Sequence, residues 1–71
     1  MRHEPIKKEQ LIIETEVRYM GWEWTISVND GDDIRLESDR LHDEQPYWVW
    51  LPIRDDILCD IELISLPNGE I

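Results

Sequence analysis

Carboxylates are the side chains this sequence sets closest together in positions where they can act jointly. Asp30-Gly31-Asp32-Asp33 places three around a glycine, and Arg54-Asp55-Asp56 places two more behind an arginine. Such groups can coordinate a hard cation, exchange a proton as an acid/base pair, or meet the Lys and Arg of another molecule. The first use fails on spacing. An EF-hand loop opening at Asp30 would carry Ile34 where a ligand belongs and Arg35 where a glycine belongs. Weak, adventitious cation binding by Asp32, Asp33, Asp55 and Asp56 is all that is left, and only if the two turns meet in space.

The second use finds no support either. With 17 acidic residues in the chain, a pair of carboxylates carries little catalytic information. No Ser, His and Asp arrangement and no Gly-rich phosphate loop is present. His3, His42 and Cys59 lie far apart without zinc spacing. Cys59 falls on the apolar side of an alternating segment, so a buried, inert thiol is expected. The chain is therefore read as non-enzymatic, with no catalytic residue, metal site or cofactor.

The third use fits the charge distribution. Between residues 30 and 62, Asp30, Asp32, Asp33, Glu37, Asp39, Asp43, Glu44, Asp55, Asp56, Asp60 and Glu62 face only Arg35, Arg40 and Arg54, eleven acids against three bases. Residues 1–29 carry five acids against four bases, so most of the net charge of −10 sits in the middle of the chain. That field attracts a basic partner over about 8 Å at physiological salt and repels nucleic acid and anionic membrane. A solvated face that provides solubility alone is the competing account. Self-repulsion within a small domain weighs against it, because a chain with no use for the field gains stability by mixing its signs.

Tryptophan supplies the second distinctive chemistry. Trp22-x-Trp24 and Trp48-x-Trp50 put each pair on one face of a strand, and with no Phe in the chain these rings must provide most of the aromatic volume. Trp22 and Trp24 are expected in the core. Tyr47-Trp48-Val49-Trp50-Leu51 is apolar on both faces, so either Trp48 and Trp50 or Tyr47, Val49 and Leu51 remain for a partner or a second copy of the chain. Base stacking on these rings would need flanking Lys and Arg, whereas the neighbours are Asp43, Glu44, Asp55 and Asp56.

The elements that must hold these groups are short strands. Trp22 to Val28 alternates without a break, Asn29-Asp30-Gly31-Asp32 suits a tight turn with positive φ, and Ile34 and Leu36 begin a partner strand. Residues 11–19 read as a strand with Leu11, Ile13, Thr15, Val17 and Tyr19 on one side. An N-terminal helix over 6–20 is the alternative, with Pro5 near its start and Gly21 at its end. Residues 38–45 read as a connecting loop in which Ser38 starts one short helical turn. Residues 47–51 form a strand ended by Pro52, and 57–66 form the last strand. The fold class is all-β, a small five-stranded antiparallel sheet or barrel of SH3-like or OB-like kind, with α+β as the alternative.

Seventy-one residues with 41% hydrophobic content make one small acidic domain spanning 1–71, near the lower limit for a core without disulfides, with 1–8 expected to be loose. A single cysteine and no apolar run of signal-peptide or membrane-spanning length point to a cytoplasmic setting. The expected function is an acidic inhibitor that presents carboxylates in place of phosphates to a basic, nucleic-acid-binding protein. Phage-encoded blockers of host defence, such as anti-CRISPR proteins, have a similar size and charge, a likeness that rests on no motif, and on that likeness the setting is the host cytoplasm. The residues assigned to the contact are Asp30, Asp32, Asp33, Glu37, Asp39, Asp43, Glu44, Tyr47, Trp48, Trp50, Asp55 and Asp56. Alternatives are an immunity protein or antitoxin against a basic nuclease toxin, and a small barrel adaptor for basic or proline-bearing peptides. The doubly apolar strand adds an expected homodimer.

Overall fold

The computed structural model of the protein describes residues 4–42 and 45–69, with the backbone alone at 39–42, 45 and 46. Five strands, β1 (Glu16–Tyr19), β2 (Trp22–Asn29), β3 (Asp33–His42), β4 (Gln45–Pro52) and β5 (Glu62–Ser65), form one antiparallel sheet in the order β4-β3-β2-β1-β5. The all-β, five-stranded antiparallel architecture is as the alternation implies. The sheet is open, with β4 and β5 at its two ends.

Local chemistry explains the first hairpins. Met20 (φ 56°) and Gly21 (φ 79°) both occupy left-handed backbone, the requirement of the two-residue turn that matches strand twist, and they join β1 to β2. Gly31 (φ 97°) does the same for the β2–β3 turn. Along β2 the period of two sends Trp24 and Ile26 inward, and a register shift between Ile26 and Val28 leaves Ser27 on the outer face beside Arg35.

Among the described residues, only one face of the sheet is covered. Val17, Trp24, Ile26, Ile34, Leu36, Leu51 and Leu63 project from it, and Ile6, Leu11, Leu58 and Ile61 close over them from the N-terminal segment and the region before β5. The other face meets solvent, which an antiparallel sheet tolerates when its outward residues are polar or aromatic.

The structure corrects several sequence expectations. No helix spans 6–20; that stretch holds a 3-10 turn at Lys8–Gln10 and strand β1. The strand expected over 11–19 starts only at Glu16, because Thr15 N–H bonds back to Ile12 O (3.0 Å) with Glu14 at φ 77°, a turn that exposes Ile12 and Ile13. The first residues described are held in place: Pro5 bridges Glu62, Ile6 N–H donates to Ile61 O at 2.7 Å, and Ile6 is buried.

Residues 38–42 are no loop and Ser38 starts no helical turn; β3 runs on through them, pairing Leu41 with Pro46 after a register shift. The last strand is shorter than 57–66. Asp55–Leu58 is a single helical turn, α1, with acids in its first turn where the helix dipole favours them, and β5 begins at Glu62. Cys59, expected inside, is exposed just after α1, whereas Leu58 and Ile61 are buried. Among the described residues no helix is long and apolar enough to cross a membrane.

Candidate functional site

In the β2–β3 turn, backbone hydrogen bonds hold the Asp30 carboxylate. Asp30 Oδ1 accepts from the N–H groups of Asp32 (3.0 Å) and Asp33 (2.8 Å), and Asn29 Oδ1 accepts from Gly31 N–H (2.9 Å). Those amides favour the charged form, first that of Asp33 and then that of Asp32, so the Asp30 carboxyl sits below its usual value. Asn29 Nδ2 donates to Leu11 O at 2.7 Å, which ties the turn to the N-terminal segment.

The second acidic turn lies beside the first. β3 and β4 pair Asp33 with Pro52, and Ile53 N–H donates to Asp32 O at 2.9 Å, so Arg54 and the start of α1 follow directly from the β2–β3 turn. Asp30, Asp32, Asp33, Asp55 and Asp56 are thereby gathered at one end of the sheet. Arg54 offsets part of this charge, donating from Nε to Asp56 Oδ1 and from Nη2 to Asp56 Oδ2, each at 3.1 Å. Among the described residues no three His, Cys, Asp or Glu side chains converge to hold a metal ion.

On the solvent face, strand parity aligns Arg35 and Glu37 of β3 with Trp50 and Trp48 of β4. The Arg35 guanidinium lies 5.6 Å from the Trp48 ring centroid and 5.9 Å from that of Trp50. It also donates from Nε to Ser27 Oγ (2.9 Å) and reaches Glu37 at 3.5 Å. Both tryptophans remain half exposed. Of the two arrangements open for strand 47–51, the chain therefore adopts the one that turns Trp48 and Trp50 outward and Val49 and Leu51 toward the core.

The opposite end of the covered face holds a different feature. Tyr47 packs on Trp24 (centroids 5.2 Å apart) and Trp22 (5.6 Å), and Trp24 Nε1 donates to Tyr19 O at 2.8 Å. With Tyr19, Met20 and Val49 these rings line a cleft of about 360 Å³. Trp24 is core, as expected, but Trp22 is nearly half exposed at the cleft mouth.

The assigned contact residues thus fall into separate groups. Asp30, Asp32, Asp33, Asp55 and Asp56 share one end; Glu37, Trp48 and Trp50 share the outer face; Tyr47 sits at the far end on the covered face. Asp39 lies within β3 and is described only by its backbone, and Asp43 and Glu44 lie outside the described residues. Sequence reasoning missed Arg35 as the centre of the outer face, and it missed the cleft. The signal for Arg35 was its spacing of two from Glu37, opposite a strand with Trp at the same spacing. No family model, curated protein or solved structure matches this chain.

Proposed function

We propose that this protein is a non-enzymatic acidic binding protein that occupies the basic, nucleic-acid-binding surface of a partner protein. The observation that carries the reading is the hydrogen bond from Ile53 to Asp32, which brings the two acidic turns together, the first of them fixed by the Asn29 and Asp30 side chains. Carboxylates mounted on such a turn meet Lys and Arg without first ordering a loop, so less entropy is lost on binding. Their field raises the encounter rate, and the half-exposed Trp48 and Trp50 on the neighbouring face supply the apolar contact that sets residence time.

The cleft of Tyr19, Trp22, Trp24 and Tyr47 favours a second reading, an adaptor that grips a cationic or proline-bearing peptide. Binding would then depend on Trp22 and Tyr47 more than on the acidic end.

The test is capture of proteins on the immobilised chain, followed by elution with duplex DNA or with RNA. Mimicry predicts that captured proteins are displaced by nucleic acid and by salt. It also predicts their loss in the variant Asp32→Lys, Asp33→Lys, Asp55→Lys, Asp56→Lys, whose circular dichroism should match the wild type. Capture that survives the four substitutions refutes the electrostatic reading, and capture that instead fails with Trp22→Ala and Tyr47→Ala selects the adaptor.

A further inference from the structure

We infer that β4 is a self-pairing edge, and that two copies of this chain join β4 to β4 antiparallel about a two-fold axis at Val49. The inference stands apart from the proposed partner. It begins with the open edge: among the described residues β4 pairs only with β3.

The register identifies which groups face outward. Ile53 N–H bonds Asp32 O, and in an antiparallel pair hydrogen-bonded and non-hydrogen-bonded positions alternate. Leu51 and Val49 therefore direct their amides to β3, and the N–H and C=O of Trp48 and Trp50 point to the open edge. Pro46 and Pro52 lie at the same outward parity, the positions in an edge strand where proline is tolerated because no ladder bond is lost. The edge offers two donors framed by two prolines.

The sequence of that edge is two-fold symmetric in character. Pro46-Tyr47-Trp48-Val49-Trp50-Leu51-Pro52 reads as proline, apolar, Trp, Val, Trp, apolar, proline in either direction. With Val49 opposite Val49 of the second copy, Trp48 of each opposes Trp50 of the other. All four outward N–H groups then meet outward carbonyls, and the tryptophans form cross-strand pairs on the outer face.

Charge selects the same register. β4 is the one described strand or helix with no charged residue, in a chain of net charge −10. The neutral run extends in sequence from Gln45 to Ile53, is centred on Val49, and is bounded by Glu44 on one side and Arg54 on the other. Centring on Val49 overlaps the two neutral runs completely. A shift to Trp48 or Trp50 breaks that overlap.

The test uses mass and a crosslink. Light scattering should show the mass doubling between about 1 μM and about 100 μM, with self-association strengthened by salt because screening relieves like-charge repulsion. A mimic's capture of a basic partner weakens with salt, so the two ideas fail separately. In a Cys59→Ser background, Val49→Cys should crosslink under mild oxidation. Facing residues at a non-hydrogen-bonded position lie about 4.5 Å apart at Cα, within disulfide range. Trp48→Cys in the same background should crosslink at least ten-fold less. A mass that stays monomeric at all concentrations and salts overturns the inference, as does a Trp48→Cys crosslink as efficient as that of Val49→Cys.

Discussion

Replacing Arg35 tests whether the outer face is a built surface or a chance adjacency. Its guanidinium approaches two indole rings at 5.6 and 5.9 Å; at half exposure each contact is worth about 0.5 kcal/mol. The Nε bond to Ser27 Oγ, at 2.9 Å, contributes about 1 kcal/mol. The Glu37 ion pair is long, and both side chains are about one-third exposed, so it adds roughly 0.2 kcal/mol after screening. Arg35→Ala should therefore destabilise the fold by about 2 kcal/mol, lowering Tm by roughly 8–16 °C in a chain of this size. Arg35→Met keeps an apolar stem against both rings and should cost about 1 kcal/mol. Urea unfolding followed by far-UV circular dichroism separates these from tryptophan quenching effects. Repeating Arg35→Ala in a Trp48→Leu, Trp50→Leu background should recover about 1 kcal/mol of coupling. A change within about 0.5 kcal/mol, the range of ordinary surface substitutions, refutes the reasoning.

Thr15 is fully buried, and among the described residues its Oγ1 has no hydrogen-bond partner. Thr15→Val should raise stability by about 1 kcal/mol in the same assay, since it removes an unsatisfied hydroxyl at nearly constant volume. Gly31 at φ 97° has open space where a Cβ would go, so Gly31→Ala should cost about 1 kcal/mol through backbone strain alone, measured as a shift in the urea midpoint. Asp30 has a folded pKa below its ordinary 3.8. Its contribution is present above that value and lost as pH falls through the folded pKa. Asp30→Asn keeps an acceptor for the two amides but cannot titrate, so below pH 3.8 the wild-type Tm should fall more steeply than the variant's; parallel curves would contradict the assignment.

What could be read in advance was what local chemistry decides. The alternation from Trp22 to Val28 and the Asn29-Asp30-Gly31 turn contain their own instructions, and the β2–β3 hairpin forms where they place it. Residues 38–42 were illegible because their polarity resembles a loop, whereas pairing with β4 extends the strand. The segment after Asp56 was ambiguous for another reason. Leu58 and Ile61 are three apart, a spacing a helical turn satisfies, while Ile57, Cys59 and Ile61 satisfy a strand; a four-residue helix is too short for periodicity to decide. For the site, parity alone put Trp48 with Trp50, but which face of β4 turned outward depended on Ile6, Leu11 and Leu58 covering the other. The meeting of the two acidic turns depends on one cross-strand register, which no single segment encodes.

The two ends of the sheet are treated in opposite ways, and the difference bears on both proposals. At β5 the chain covers its own edge: Ile6 N–H bonds Ile61 O, Leu63 N–H bonds Glu4 O, and Pro5 bridges Glu62. At β4 no described segment does this, and the edge is guarded only by two prolines and by the net charge of the molecule around it. A chain that needed only solubility would place a lysine or glutamate on that strand, the least costly protection an edge has. This one keeps every charge off it and sets five carboxylates beside its C-terminal end instead. Long-range repulsion then limits association at low ionic strength while the strand itself stays free of charge. On the two proposals above, the acidic end is the part that draws in a basic partner, while the backbone edge of β4 suits a surface that carries little charge of its own.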